Sequence, residues 1–207
     1  MQILFKTILV FWLLLINPTM AWTETGTLDT AASAGSAAQQ SARQEKADRE
    51  YFTDLPLVTR DGEEVRFYSD VLKGRVVLIN FIFTHCQDAC PLISKRLRET
   101  RGLLDDAVSS KVFFISISID PERDTPEALT KFVTRFELAD KNWVFLTGDK
   151  QNVEHIVKKL GQYNDNVEAH STLILAGNVS NKHWMKISPA VPPWGIAEKL
   201  KLLAEES

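Results

Sequence analysis

The sequence predicts an α/β fold in which a central mixed sheet has helices on both faces and an N-terminal hairpin as an extension. Two apolar, β-branched runs, Arg75–Phe83 and Lys111–Ile119, are typical of strands that are buried on both faces. A segment with helical spacing follows each run, and two short runs late in the chain can pair antiparallel. Strands that alternate with helices in this way favour a sheet covered on both sides.

The composition is that of a soluble domain with additional segments. The chain has 207 residues, of which 44% are hydrophobic and 25% charged, and its net charge is −3. This length predicts one domain plus extensions. No dense block of lysine and arginine occurs, so we expect no nucleic-acid partner.

The first 21 residues have the pattern of an export signal. Ile8–Ile16 is an unbroken apolar run, Lys6 is the only charge in the first twenty residues, and Thr19-Met20-Ala21 forms a small-residue site. We expect residues 1–21 to be a signal peptide, or else residues 3–20 to anchor the chain to the inner membrane. Either alternative predicts an exported, periplasmic protein that can lie near a membrane.

Residues 22–50 are rich in Ala, Ser, Gln, Gly and Thr and poor in large apolar side chains. Such a segment buries too little surface to offset its ordering entropy. We therefore expect a flexible linker, with transient helix at Gln39–Arg49, followed by a domain at residues 51–207.

The domain begins with signals for a hairpin. Leu55–Thr59 and Glu64–Tyr68 flank Asp61-Gly62, a strong short-range turn signal. Ser69–Gly74 is expected to form one helical turn that ends at glycine.

The rest of the domain follows the alternating pattern. A helix should run from Pro91 to about Asp105–Ser109, and Thr125-Pro126-Glu127 should begin another with a capping residue, a proline and an acid. The remaining predicted elements are a strand at Trp143–Leu146, a helix capped by Asp149, a strand at Ser171–Leu175, a turn at Ala176–Asn178, a return strand at Lys182–Ile187, and a closing helix with Ile196, Leu200 and Leu203.

Both cysteines of the chain, Cys86 and Cys90, lie between the first central strand and the helix that follows it. This arrangement points to a thioredoxin-like architecture. A helix N-terminus favours thiolate over thiol, and thiolates are soft ligands that select Cu(I) or Zn. Three residues separate the cysteines instead of the usual two. The spacing alone leaves open a metal site, a redox pair and an inert disulfide.

Two cysteines rarely complete a metal site, so a third donor is expected among the four histidines. His170 directly precedes the predicted strand Ser171–Leu175, whose entry loop lies beside the cysteine motif in a thioredoxin-like sheet. His85 adjoins Cys86 and should point away from it. His155 and His183 lie within a predicted helix and strand. His170 is therefore the best-placed candidate.

The chain resembles the Sco/SenC family of copper proteins from about Tyr51 to Leu203. The stretches that carry the resemblance occur in the family's order and at similar separations. They are Thr84–Pro91, Ser118–Glu127, Trp143 with Leu146–Gly148, and His170-Ser171.

The resemblance implies a thioredoxin-like protein in which Cys86, Cys90 and His170 bind one copper ion, as Cu(I) or Cu(II). The family is associated with delivering copper to the binuclear copper centre of cytochrome c oxidase, or with keeping the cysteines of that centre reduced. Implied partners are a copper-accepting respiratory enzyme subunit, a thiol reductase and a copper donor.

Two positions depart from the family pattern, because Gln87 stands where many relatives have proline and Ala169 where many have aspartate. The second change removes a partner that would orient the imidazole of His170. Asp88, Asp120 and Asp124 are candidates for outer negative charge, although Asp124 also fits the approach to a helix cap.

Two alternative functions remain on the sequence. In a thiol–disulfide oxidoreductase without stable copper, Cys86 would attack a target disulfide and Cys90 would resolve the mixed disulfide. In a peroxidase-like relative, a single cysteine would react. The presence of His170 favours the copper protein.

Overall fold

The computed structural model describes residues 28–87, 89–166 and 172–206, with side chains from Gln39 onward. The chain divides into two units between Ala42 and Arg43, within the sequence of helix α1 (Leu28–Phe52). The second unit contains all other described elements: β1 (Pro56–Thr59), β2 (Glu64–Arg66), a π-helical turn (Phe67–Leu72), β3 (Val76–Ile82), α2 (Ala89–Gly102), α3 (Asp106–Lys111), β4 (Val112–Ser118), α4 (Pro126–Phe136), β5 (Trp143–Thr147), α5 (Lys150–Lys159), β6 (Ile174–Asn178), β7 (His183–Ile187) and α6 (Pro193–Glu205).

The described strands form one mixed sheet in the order β2-β1-β5-β4-β3-β6-β7. Strand β4 pairs in parallel with β3 and β5, whereas β1 and β6 join this centre antiparallel. The two hairpins β1–β2 and β6–β7 form the outer parts of the sheet. This topology confirms the predicted mixed sheet with an N-terminal hairpin.

Strand β3 separates two hydrophobic cores because its side chains alternate between the faces of the sheet. Leu78 and Ile82 pack in one core with apolar residues of α2, α4 and α6. Ile79 and Phe81 pack in the other with residues of α5, the π-helical turn and Phe52. All seven residues of β3 are buried, which explains its continuous apolar sequence.

The predicted turn and helix signals are largely confirmed. Gly62 occupies the β1–β2 turn at φ +84°, where a side chain would be strained. The hydroxyl of Thr125 accepts a hydrogen bond from the N–H of Ala128 at the start of α4. Asp149 accepts from the N–H groups of Gln151 and Asn152 at the start of α5.

Several boundaries differ from the prediction, and the strand expected at Ser171–Leu175 runs from Ile174 to Asn178. The expected turn at Ala176–Asn178 is wrong, because these residues belong to β6 and pair with Val76–Leu78 of β3. The chain turns after Asn178 instead, with Lys182 in the left-handed region at φ +62°. The helix after the cysteines begins at Ala89, not Pro91, and a break after Gly102 separates it from the short α3.

Helix α1 covers most of the segment for which the sequence predicts a linker. Its last part, from Arg43, belongs to the second compact unit, where Phe52 is buried. None of the helices in the described part of the chain combines the length and apolar character that crossing a membrane requires. The predicted signal or anchor at residues 1–21 lies outside the described residues.

Candidate metal centre

The two cysteines meet where β3 gives way to α2. Cys86 lies in the connecting loop, held by a hydrogen bond from its N–H to the carbonyl of Phe83 at 3.1 Å. Cys90 is the second residue of α2. Its backbone N–H donates to Sγ of Cys86 at 3.2 Å. The first turn of α2 therefore directs a backbone donor at the sulfur of Cys86, in the way that helix N-termini bind anions.

The two thiols have different environments. Cys86 is partly exposed, whereas Cys90 is only 1% exposed. Burial raises the pKa of the Cys90 thiol from its ordinary value of 9.0 to about 12, and the N–H of Phe83 opposes this rise. The nearby sulfur of Cys86 and the carboxylate of Asp124 raise the same pKa further. Cys90 is thus a protonated thiol at neutral pH unless a cation replaces its proton.

A buried carboxylate, Asp124, supports the loop that carries Cys86. Its side chain is fully buried and accepts from the hydroxyl of Thr84 at 2.6 Å and from the hydroxyl of Ser118 at 2.6 Å. The N–H of Thr84 also donates to both carboxylate oxygens, at 3.2 and 3.1 Å. Asp124 therefore connects the ends of β3 and β4.

The topology explains why these groups meet. Ile82 and Ser118 are register partners at the carboxyl ends of the parallel strands β3 and β4. The N–H groups of Arg123 and Asp124 both donate to the carbonyl of Asp120. This turn folds the segment after β4 back toward the sheet, so that Asp124 reaches the loop after β3.

The four histidines considered as a third metal ligand do not share one environment. His85 is largely exposed, with Nδ1 3.2 Å from the hydroxyl of Thr84. His155 is exposed on α5. His183 pairs with Glu206 at 2.9 Å, in contact with the C-terminus of α6. His170, Ala169, Ser171 and Asp88 lie outside the described residues, so His170 stays a prediction.

The described part of the site supplies two soft donors that fit a soft cation. Both cysteines are free thiols, and the contact between the N–H of Cys90 and the sulfur of Cys86 places them side by side. Within residues 28–87, 89–166 and 172–206, no group of three His, Cys, Asp or Glu side chains is arranged to hold a metal. Two thiolates side by side fit Cu(I), a soft cation.

Sequence reasoning missed the roles of Thr84 and Ser118 and did not identify Asp124 as the acceptor that they share. The predicted cap of α4 at Thr125, directly after Asp124, is confirmed. A signal for the network was present, since Ser118 is a polar residue at the end of a strand in which Ser116 is the only other polar residue. The contact between Thr84 and Asp124, 40 residues apart, becomes visible only when β3 and β4 are in register.

The model of the SCO1/SenC family matches residues 43–201 of the chain. The SCO1 protein homolog of Bacillus subtilis is 41% identical over 93 residues, which are 45% of this chain and 47% of that protein. The chain thus spans about half the length of the curated relatives that it matches.

Solved structures show the same fold. ScoI of Bradyrhizobium japonicum with copper bound is 28% identical, with a TM-score of 0.56 over 72% of this chain and 96% of that one. BsSco, described as having a disulfide switch and as a member of the Sco family of cytochrome c oxidase assembly proteins, is 27% identical, with a TM-score of 0.62 over 75% and 94% of the two chains. The fold is therefore thioredoxin-like, and the chain belongs to the SCO1/SenC family.

Proposed function

We propose that the chain binds one copper ion through Cys86, Cys90 and His170 and passes it to a respiratory copper enzyme, with the binuclear copper centre of cytochrome c oxidase as the target. The observation that carries the proposal is the side-by-side placement of two free thiols. The sulfur of Cys86 accepts a hydrogen bond from a backbone N–H in the first turn of α2. The copper-bound ScoI relative and the description of BsSco as an assembly protein support copper and this target class.

The chemistry is ligand exchange, with copper as the cargo. Cys86 offers the accessible sulfur that first reaches the ion. Cys90 must then lose its proton, because a thiolate and not a thiol binds the metal. The low accessibility of Cys90 excludes water and competing ligands from the second sulfur. Release to an acceptor returns the proton to Cys90.

Anaerobic titration of the reduced chain with Cu(I) tests the proposal. We expect one copper per chain, and at least a tenfold loss of affinity for Cys86→Ser, Cys90→Ser and His170→Ala, because each removes one of three ligands. His155→Ala is the matched control, since His155 lies exposed on α5. Equal affinity of the wild type and His170→Ala would remove His170 from the site.

A second candidate function, thiol–disulfide exchange, is favoured by the difference between the two thiols. Cys86 is partly exposed and would attack, and the buried Cys90 would resolve the mixed disulfide. In this reaction Cys86 and Cys90 together lose two electrons and two protons, and the target disulfide gains them. His170→Ala would keep this exchange and lose copper binding, which separates the two functions.

The proposal includes a cellular location and two further partners. The pattern at residues 1–21 supports export to the periplasm, as a cleaved signal or an inner-membrane anchor. Outside the cytosol a free cysteine pair tends to oxidise. The proposal therefore includes a thiol reductase that maintains Cys86 and Cys90, and a donor that supplies copper.

A further inference from the structure

Asp124 is a buried carboxylate, and burying a charged group is energetically unfavourable. Its side chain is 0% exposed, and within the described residues no lysine or arginine forms an ion pair with it. The nearest basic group there is Nδ1 of His85 at 4.0 Å, on a side chain that is 62% exposed. Removing a carboxylate from water costs several kcal/mol, which is offset only by good hydrogen bonds or a cation. Its hydroxyl and N–H donors supply such hydrogen bonds.

This charge lies close to the cysteine pair. Thr84, which donates to it through both N–H and hydroxyl, is two residues before Cys86. The N–H of Cys90 in turn donates to the sulfur of Cys86, so both thiols lie beside this loop. Asp124 and Cys90 are 0% and 1% exposed, and charges buried in protein are poorly screened.

We propose that Asp124 is a positioning residue whose fixed negative charge biases copper held by Cys86 and Cys90 toward Cu(II). The inference rests on the proposed copper binding. Two thiolates and Cu(I) carry a net charge of −1, whereas two thiolates and Cu(II) carry none. Reduction by one electron therefore adds negative charge near a carboxylate that cannot move away, and this raises the energy of the Cu(I) state.

The hydrogen-bond geometry allows the charge to be removed with most of the contacts kept, and only the bond from the N–H of Thr84 to the second carboxylate oxygen is lost. In Asp124→Asn, the amide oxygen can accept from the N–H and hydroxyl of Thr84. The amide nitrogen can donate to the hydroxyl of Ser118, whose oxygen already accepts from the N–H of Asp120 and has a second lone pair. Asp124→Ser removes the same charge in a different shape and leaves room for a water molecule.

The test is the Cu(II)/Cu(I) reduction potential of the copper-loaded chain, measured by mediated spectroelectrochemical titration. We expect Asp124→Asn and Asp124→Ser to move the potential to more positive values, with one copper still bound per chain. Glu122→Gln is the matched control, because Glu122 lies in the same loop but is exposed and pairs with Lys150. Its potential should equal that of the wild type, since water screens the charge.

Ser118→Ala separates charge from hydrogen bonding, because it removes one donor to Asp124 and keeps the carboxylate. Its potential should shift by less than that of either neutral variant. Neutral variants that bind copper at the wild-type potential would overturn the inference and leave the proposed function standing. An equal shift in Ser118→Ala would also overturn it. A wild-type chain that binds no copper would overturn both.

Discussion

At the scale of single residues, Cys86 and Cys90 differ in access to solvent and in their surroundings. The side chain of Cys90 packs within the core that α2, α4 and α6 share, whereas Cys86 packs against the edge of that core. Cys86 is accessible to a partner protein, whereas Cys90 is shielded from solvent. This asymmetry suits the proposed transfer of copper, in which the sulfur ligands would be exchanged one at a time.

The raised pKa of Cys90 predicts a loss of stability at alkaline pH. The thiol ionises near 9.0 in the unfolded chain and at about 12 in the folded chain, so between these values the folded state binds more protons. Stability must therefore fall as pH rises through this window, by at most about 1.4 kcal/mol per pH unit for one group.

Urea denaturation of the metal-free, reduced chain between pH 8 and pH 10.5 measures this effect. Cys90→Ala should lose less stability over that range than the wild type, because it lacks the titrating thiol. Other groups titrate there in both chains, and their contribution cancels in the difference. Parallel curves for the two chains would contradict the raised pKa.

At the scale of elements, the β6–β7 hairpin depends on the absence of one side chain. Gly177 and Trp184 are register partners, and a Cβ on Gly177 would overlap the indole ring of Trp184. This ring also contacts Phe52, with centroids 5.5 Å apart. The hairpin positions the start of β6, which follows the segment that contains His170.

We expect Gly177→Ala to destabilise the chain by roughly 1–3 kcal/mol, because overpacking forces the ring or the strand to move. A double-mutant cycle with Trp184→Ala checks the cause by urea denaturation. In the Trp184→Ala background the added methyl meets open space, so its cost should largely disappear. An undiminished cost there would mean that the backbone of β6, and not the ring, requires glycine.

The same hairpin shows how far the sequence determines the fold. Apolar runs and capping residues predicted β3, β4, α4 and α5, because their burial and their first turns depend on local pattern. The end of β6 was misplaced since Ala176-Gly177-Asn178 has turn composition, and only pairing with β3 and the ring of Trp184 make it a strand. The role of Cys86 and Cys90 was predictable from their spacing. The hydrogen bonds from the cysteine loop to Asp124 were not, because they depend on the register of β3 and β4, which are neighbours in the sheet but separated in sequence.

At the scale of the whole molecule, the domain extends further toward the N-terminus than its apolar pattern suggests. Phe52 is 5% exposed and stacks on Tyr68, with centroids 6.2 Å apart. Upstream of it, Asp48 pairs with Lys182 at 3.0 Å and Glu45 pairs with Lys73 at 2.8 Å. These contacts attach residues 43–52 to the sheet and the π-helical turn.

Truncation measures this attachment. A chain that begins at Arg43 should keep the copper stoichiometry and the urea midpoint of the full chain. A chain that begins at Thr53 lacks Phe52 and should lose at least about 3 kcal/mol, the usual cost of removing a buried phenylalanine. Equal midpoints for both truncated chains would show that the end of α1 contributes nothing to the stability of the domain.

The order of the strands has a consequence for self-association. In the described sheet, β2 and β7 each have one neighbour, and they are only three and five residues long. Exposed Lys186 lies within β7, and Lys182 directly precedes it. Short edge strands that carry positive charge resist pairing with a second molecule, because fibril growth needs long, flat and uncharged strands. The molecule can therefore reach a high local concentration without its sheet becoming a template for aggregation.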